Sequence, residues 1–168
     1  MNDRTLTIEA ASREDYAAIL ALNEAAIPAV NQIDVGELRA LHAQAACLLV
    51  ARQGNTLLGF LLVLDETADY ESENYQYFRS HYEAFAYVDR IVVAAESRGL
   101  GLGGRLYDAL DQELPEAPRV ACEVNVRPPN PGSLTFHERL GFKVVDEQDT
   151  GGGAKRVALM IREQPATT

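Results

Sequence analysis

The sequence is short of cysteine, of lysine and of long apolar runs, and each shortage removes a class of protein. Two cysteines in 168 residues, Cys47 and Cys122, cannot build the disulfide framework of a small secreted scaffold. Both sit in apolar, strand-like runs and are expected to be buried free thiols. No apolar run approaches the ~20 residues of a membrane helix. The longest, Leu57 to Leu64, is interrupted by Gly59. The opening Met-Asn-Asp-Arg-Thr lacks a charged and then hydrophobic leader pattern, so a cytoplasmic protein with no membrane partner is expected. Of the 15 basic residues only Lys143 and Lys155 are lysines, and no basic tract offsets a net charge of −10. Such a field works against nucleic-acid backbones and favours cationic partners.

What is present is ordinary for a soluble enzyme, at 47% hydrophobic and 24% charged residues. The length suits one domain over residues 1–168, and no internal repeat divides it. Leu6 to Ala10 reads as a strand. Ser12 with Asp15 three residues on opens a helix carrying Tyr16, Ile19, Leu20, Leu22 and Ala26 at helical spacing, stopped by Pro28. Asp34 caps a second helix with Val35, Leu38, Leu41 and Ala45 on one side. Cys47 to Ala51 and Thr56 to Leu64 form a hairpin about Gln53-Gly54-Asn55. Residues 65–83 are acidic and aromatic and read as a lid-like segment. Strand Ala84 to Val93, helix Gly101 to Leu114, strand Arg119 to Val126 and helix Pro131 to Leu140 follow. Strands Phe142 to Glu147 and Ala154 to Arg162 close the chain around Gly151-Gly152-Gly153.

The most informative stretch is Arg98-Gly99-Leu100-Gly101-Leu102-Gly103-Gly104. Alternate glycines let the backbone approach a ligand and expose successive amides. The helix behind them adds unpaired N–H groups and the positive end of its dipole, a site suited to a pyrophosphate. Arg98 supplies a further charge-assisted contact. Gly99, Gly101 and Gly104 also satisfy the dinucleotide pattern G-x-G-x-x-G, with Glu123 near the ribose-binding offset. Against that reading, the polar residues Ala94 to Arg98 separate strand from glycine, and the N-terminal half holds a hairpin where repeated βα units are needed. The plainest alternative is a turn that packs a helix tightly on a strand.

These residues resemble the GNAT superfamily of acyl-CoA-dependent N-acyltransferases. Arg98, Gly101 and Gly103 match its Q/R-x-x-G-x-G/A motif, and Ile91-Val92-Val93 matches the strand before it. Asn130, Ser133, Phe136 and Leu140-Gly141-Phe142 resemble its second motif, and the order of elements over residues 5–162 fits its fold. The run Cys122 to Asn125 through Pro128 to Pro131 looks like a bacterial subgroup of acetyltransferases without an assigned substrate. The resemblance implies an α/β (α+β) fold, with a mixed and largely antiparallel sheet splayed at the cofactor strands and flanked by helices. It implies acetyl-CoA bound by Ile91, Val92, Val93, Arg98, Gly99, Gly101, Gly103, Gly104, Asn130 and Phe136, and no metal. In place of the family's usual tyrosine stands His137, which either protonates the departing thiolate or is a core histidine bonded to backbone. Asn130 before Pro131 is also an ordinary helix cap, and Ser133, Phe136 and Leu140 at helical spacing are expected to face the sheet.

Acyl transfer from a thioester needs a neutral amine, a donor for the carbonyl oxygen and a proton for the thiolate. The resemblance puts the carbonyl near the backbone N–H of Val93. Candidate bases are Asp89, on the strand parity of Ile91 and Val93, and Glu123 on the neighbouring strand, unless these acids pair with Arg90 or Arg127. His81 is a third candidate. The acceptor, a small-molecule or peptide amine, is expected among residues 65–83, the second helix and the Gly151 to Gly153 turn. Tyrosines and acids there suit a cation. The function expected is acetyl transfer to a primary amine. The alternatives are a non-catalytic acyl-CoA-binding or sensing module and a nicotinamide dinucleotide enzyme. A homodimer is compatible with the family.

Overall fold

The structure is a computed structural model and describes residues 5–165. Seven strands form a mixed sheet in the order β1-β2-β3-β4-β5-β7-β6. The recorded registers are antiparallel for β1/β2, β2/β3, β5/β7 and β6/β7, and parallel for β4/β5. This is the expected fold class, and it excludes the all-parallel doubly wound sheet of a dinucleotide enzyme. By packing, the described residues fall into two compact units, 5–64 with Asp89–Pro115, and Asp65–Val88 with 116–165.

The first unit holds β1 (Leu6–Ala10), α1 (Tyr16–Ala25), α2 (Val35–Gln44), β2 (Cys47–Gln53), most of β3 (Thr56–Asp65), the end of β4 (Ala86–Val93) and α4 (Leu102–Glu113). Local chemistry sets its boundaries. The Ser12 amide donates to Asp15 Oδ2 at 2.9 Å ahead of α1, and Asp34 and Glu37 exchange 2.8 Å bonds in a complete capping box on α2. Gln53 pairs with Thr56, so Gly54 and Asn55 make the hairpin turn, with Gly54 at φ 61°. Leu48 to Ala51 and Phe60 to Leu64 are buried at consecutive positions, which requires cover on both faces of these strands. One cover is α4, which packs on β2 and buries Leu102, Leu106, Tyr107 and Leu110 at helical spacing. Cys47 and Cys122 are both free, and burial pushes the Cys47 thiol up to about 12, with Glu113 adding to it.

The second unit holds α3 (Glu73–His81), the start of β4, β5 (Arg119–Arg127), α5 (Pro131–Arg139), β6 (Lys143–Thr150) and β7 (Lys155–Glu163). Sequence reading assigned no helix to residues 65–83, yet α3 lies inside them. Ser72 caps it, its hydroxyl accepting from Tyr75 N at 3.4 Å, and Tyr75 and Phe78 form its buried side. The Tyr75 hydroxyl donates to Asp65 O at 2.7 Å and lies 3.2 Å from Ala68 O, which folds the acidic segment back onto the helix. Gln148 donates to Asn74 at 2.9 Å and Gly151 N to Glu73 at 3.3 Å, so α3 rests on β6 and the glycine turn. Among the described residues no helix is long and apolar enough to cross a membrane.

Candidate active site

In the first unit the glycine turn has the backbone that ligand approach requires. Gly99 and Gly101 stand at φ 81° and 76°, in the left-handed region where a side chain is strained. Gly101 is the residue before α4, and Arg105 N donates to Gly101 O at 3.1 Å. The amides of Leu102, Gly103 and Gly104 therefore point past the helix end. A Cβ added at Gly99, Gly101 or Gly104 meets no atom within 4 Å, and Arg98 is exposed beside them. Open space, converging N–H donors and a cation fit a pyrophosphate.

Directly before this turn, Val92 is buried at 4% exposure between half-buried Ile91 and Val93. Ala94 N donates to Leu58 O at 2.7 Å, fastening the end of β4 to β3. Gly59, which sequence reading treated only as an interruption, belongs to this arrangement. Its missing Cβ would stand 2.7 Å from Val92 O and 3.6 Å from Leu102 Cδ2. The signal available was a glycine inside an apolar strand, which marks close backbone approach.

Asp89 is committed elsewhere. Arg90 Nε donates to Asp89 Oδ2 at 2.7 Å, with the two side chains only 2% and 4% exposed for Arg90 and Asp89. The same guanidinium donates to Asn23 Oδ1 at 2.9 Å, Asn31 Oδ1 at 2.9 Å and Asn31 O at 3.2 Å. A buried cation needs such partners, and a carboxylate that neutralises it is a poor general base. Of the two readings the sequence left open for Asp89, the structure shows the pairing with Arg90.

In the second unit Glu123 has a different partner. The Tyr87 hydroxyl lies 2.9 and 2.8 Å from the two Glu123 carboxylate oxygens. Tyr87 is fully buried while Glu123 is half-buried on β5. On α5, Asn130 Oδ1 accepts from Ser133 N at 3.3 Å and Pro131 follows, the cap expected from the dipeptide. A cofactor-side role for Asn130 rests on the resemblance. Ser133, Phe136 and Leu140 are half-buried, and the buried residue of α5 is instead His137, at 3% exposure. Its ring lies edge-on between Phe136 and Phe142, with centroids at 5.0 and 5.3 Å.

His137 Nδ1 is 2.8 Å from Ser133 O, and a carbonyl can only accept, so the ring carries its proton on Nδ1. Burial holds its pKa below the ordinary 6.5, outweighing the bond to Ser133. A neutral ring of that tautomer has no proton on Nε2 to give, which argues against the acid role and for the backbone-bonded core histidine. His81 is exposed, stacked on Tyr77 at 4.0 Å, with Nδ1 2.7 Å from Tyr77 O.

A mixed sheet with a strand running through a glycine turn into a helix that presents N–H groups suits a ligand that carries a pyrophosphate. The model of the acetyltransferase (GNAT) family matches residues 8–142, and the chain belongs to that family. It is an acetyl-CoA-dependent acyltransferase. Solved structures share its fold at low identity. The ribosomal-protein-S18-alanine N-acetyltransferase from Escherichia coli is 16% identical with a TM-score of 0.73, covering 98% of this chain and 97% of that one. Arabidopsis thaliana Naa50, in complex with the bisubstrate analogue CoA-Ac-MVNAL, is 13% identical at 0.73, over 95% and 99%. The putative acetyltransferase yncA from Salmonella typhimurium, with its cofactor acetyl-CoA, is 19% identical at 0.71, over 98% and 96%. None of the curated proteins matches the sequence.

Proposed function

We propose that the protein transfers the acetyl group of acetyl-CoA directly to a primary amine, with Glu123 as the general base. Bound acetyl-CoA supplies the activated thioester; the chain's own residues hold it and manage protons. Arg98 and the amides after Gly101 hold the pyrophosphate, and the backbone of Val92 and Val93 aligns the arm that carries the thioester. Glu123 would take the proton of the neutral attacking amine as the N–C bond forms; the C–S bond breaks with its electron pair on sulfur, and CoA leaves as the thiolate, to be protonated by solvent. The observation that carries the choice of base is the contrast between the two strand acids. Asp89 is held by a buried arginine, whereas Glu123 is half-buried and accepts from the Tyr87 phenol.

The acceptor in this reading is cationic. Residues 65–83 carry Asp65, Glu66, Asp69, Glu71, Glu73 and Glu83 against Arg79, a field that concentrates protonated amines. Peptide amines are included, since structures sharing the fold include an enzyme named for a ribosomal-protein alanine and one bound to a peptide bisubstrate analogue. Two free thiols suit the reducing cytoplasm, where the reading places the reaction. Calorimetric titration with acetyl-CoA, followed by mass spectrometry of a panel holding spermidine and free-N-terminus peptides, tests the proposal. Saturable acetyl-CoA binding, transfer to an amine, and its loss in Glu123→Gln are expected. Binding with no transfer to any amine would return the protein to the alternative of an acyl-CoA-binding module.

A further inference from the structure

Glu123 has three side-chain torsions and sits half-buried on a strand, so a hydrogen bond to its carboxylate helps to set where a proton is accepted. The Tyr87 hydroxyl lies within 3 Å of both carboxylate oxygens, sharing one proton between them. That hydroxyl is itself held, because the ring behind it is walled in by α3. Tyr75 meets the Tyr87 ring edge-on at 5.5 Å and 66°, and Phe78 meets it at 5.8 Å. Phe85 backs both, at 5.9 Å from Tyr75 and 6.4 Å from Phe78. Tyr75 is tied in turn to the carbonyls of Asp65 and Ala68. A chain of contacts thus runs from the acidic segment through α3 and Tyr87 to Glu123, all within the second unit.

We propose that Tyr87 is a positioning residue for acetyl transfer, its hydroxyl holding the Glu123 carboxylate while the aromatic wall of α3 holds Tyr87. This rests on Glu123 being the base. Segment 65–83 then does more than supply charge near the acceptor: it sets the proton-accepting group from behind. A phenol that donates to a carboxylate favours its charged form, so losing the phenol raises the pH at which that carboxylate titrates. Other groups stand near Glu123 as well. Cys122 adjoins it on β5, with Arg162 of β7 acting on the same thiol, and Leu159 of β7 stands opposite Glu123 in register. The α5 helix, which packs on β5, contributes the buried His137 and the exposed Glu138 and Arg139.

The test uses the full chain with ¹³C-labelled glutamate carboxyls, observed by NMR during pH titration, the Glu123 resonance being assigned from its absence in Glu123→Gln. Tyr87→Phe keeps the ring and removes the donor. Its expected result is a rise of about one pH unit in the Glu123 midpoint, a tenfold loss in preference for the charged form, with the fall in melting temperature confined to pH values at which that carboxylate is charged. Phe78→Leu, which loosens the wall without touching the hydrogen bond, is expected to move the same midpoint up by less. It also keeps the proposal testable if Tyr87→Phe does not fold. An unmoved Glu123 midpoint overturns Tyr87's role and leaves Glu123 as base. Amine acetylation that survives in Glu123→Gln overturns the base reading, and the positioning role with it.

Discussion

Replacing Gly59 by alanine puts a methyl carbon 2.7 Å from the carbonyl oxygen of Val92, about 0.7 Å inside the 3.4 Å at which ordinary contact begins. Gly59 does not have positive φ, so the penalty is steric. The obstruction is backbone, with Val93 Cα at 3.5 Å behind it, and cannot swing aside as a side-chain tip would. Overpacking of this kind costs about 1–3 kcal/mol. Removing glycine's freedom from the unfolded chain returns roughly 0.4–1 kcal/mol, for a net loss of about 1–2 kcal/mol. In a protein of this size that lowers the melting midpoint by roughly 2–8 °C. Relief must come from moving β4 at Val92 or α4 at Leu102, the two elements that flank the glycine turn. Acetyl-CoA affinity is therefore expected to fall about tenfold, or ~1.4 kcal/mol. Thermal melting and calorimetric titration of Gly59→Ala measure both. A variant melting at or above the wild-type temperature refutes the steric argument. One that melts lower yet binds acetyl-CoA normally detaches Gly59 from the site.

Gly104→Ala should separate stability from binding: the added Cβ meets no atom within 4 Å inside α4, so the helix gains up to ~1 kcal/mol while the methyl obstructs the pyrophosphate. A more stable protein with unaltered acetyl-CoA affinity would remove Gly104 from the binding surface. His137→Phe should change the pH dependence of stability. The folded-state pKa lies below the ordinary 6.5, so the unfolded chain binds the proton more readily. The contribution is then intact above about pH 6.5 and lost as pH falls through the folded value. Melting temperature against pH is expected to decline less on that acid side in the variant. Curves that stay parallel would show that His137 does not titrate as its burial implies.

The seven strands were legible because strand and turn signals are local: alternation, β-branched runs and the Gly54-Asn55 turn each act within a few residues. The same holds for the caps at Ser12, Asp34 and Asn130, where donor and acceptor lie three residues apart. The helix inside residues 65–83 escaped notice because tyrosines and acids mask its short apolar face, Tyr75 and Phe78. Spacing on α5 pointed to Ser133, Phe136 and Leu140 as the buried side. The fold turned His137 inward instead, a choice made by Phe142 and by the Ser133 carbonyl that satisfies the ring.

The glycine turn belongs to the sequence, since glycine at 99 and 101 permits a backbone conformation that few other residues adopt, whatever surrounds it. The division of labour between the two strand acids belongs to tertiary structure. Asp89 and Glu123 look alike along the chain, but Asp89 meets a buried guanidinium shared with Asn23 and Asn31, and Glu123 meets a phenol 36 residues away. The availability of a carboxylate depends on which donors and charges the fold brings to within about 3 Å of it, and sequence spacing carries no record of such long-range neighbours.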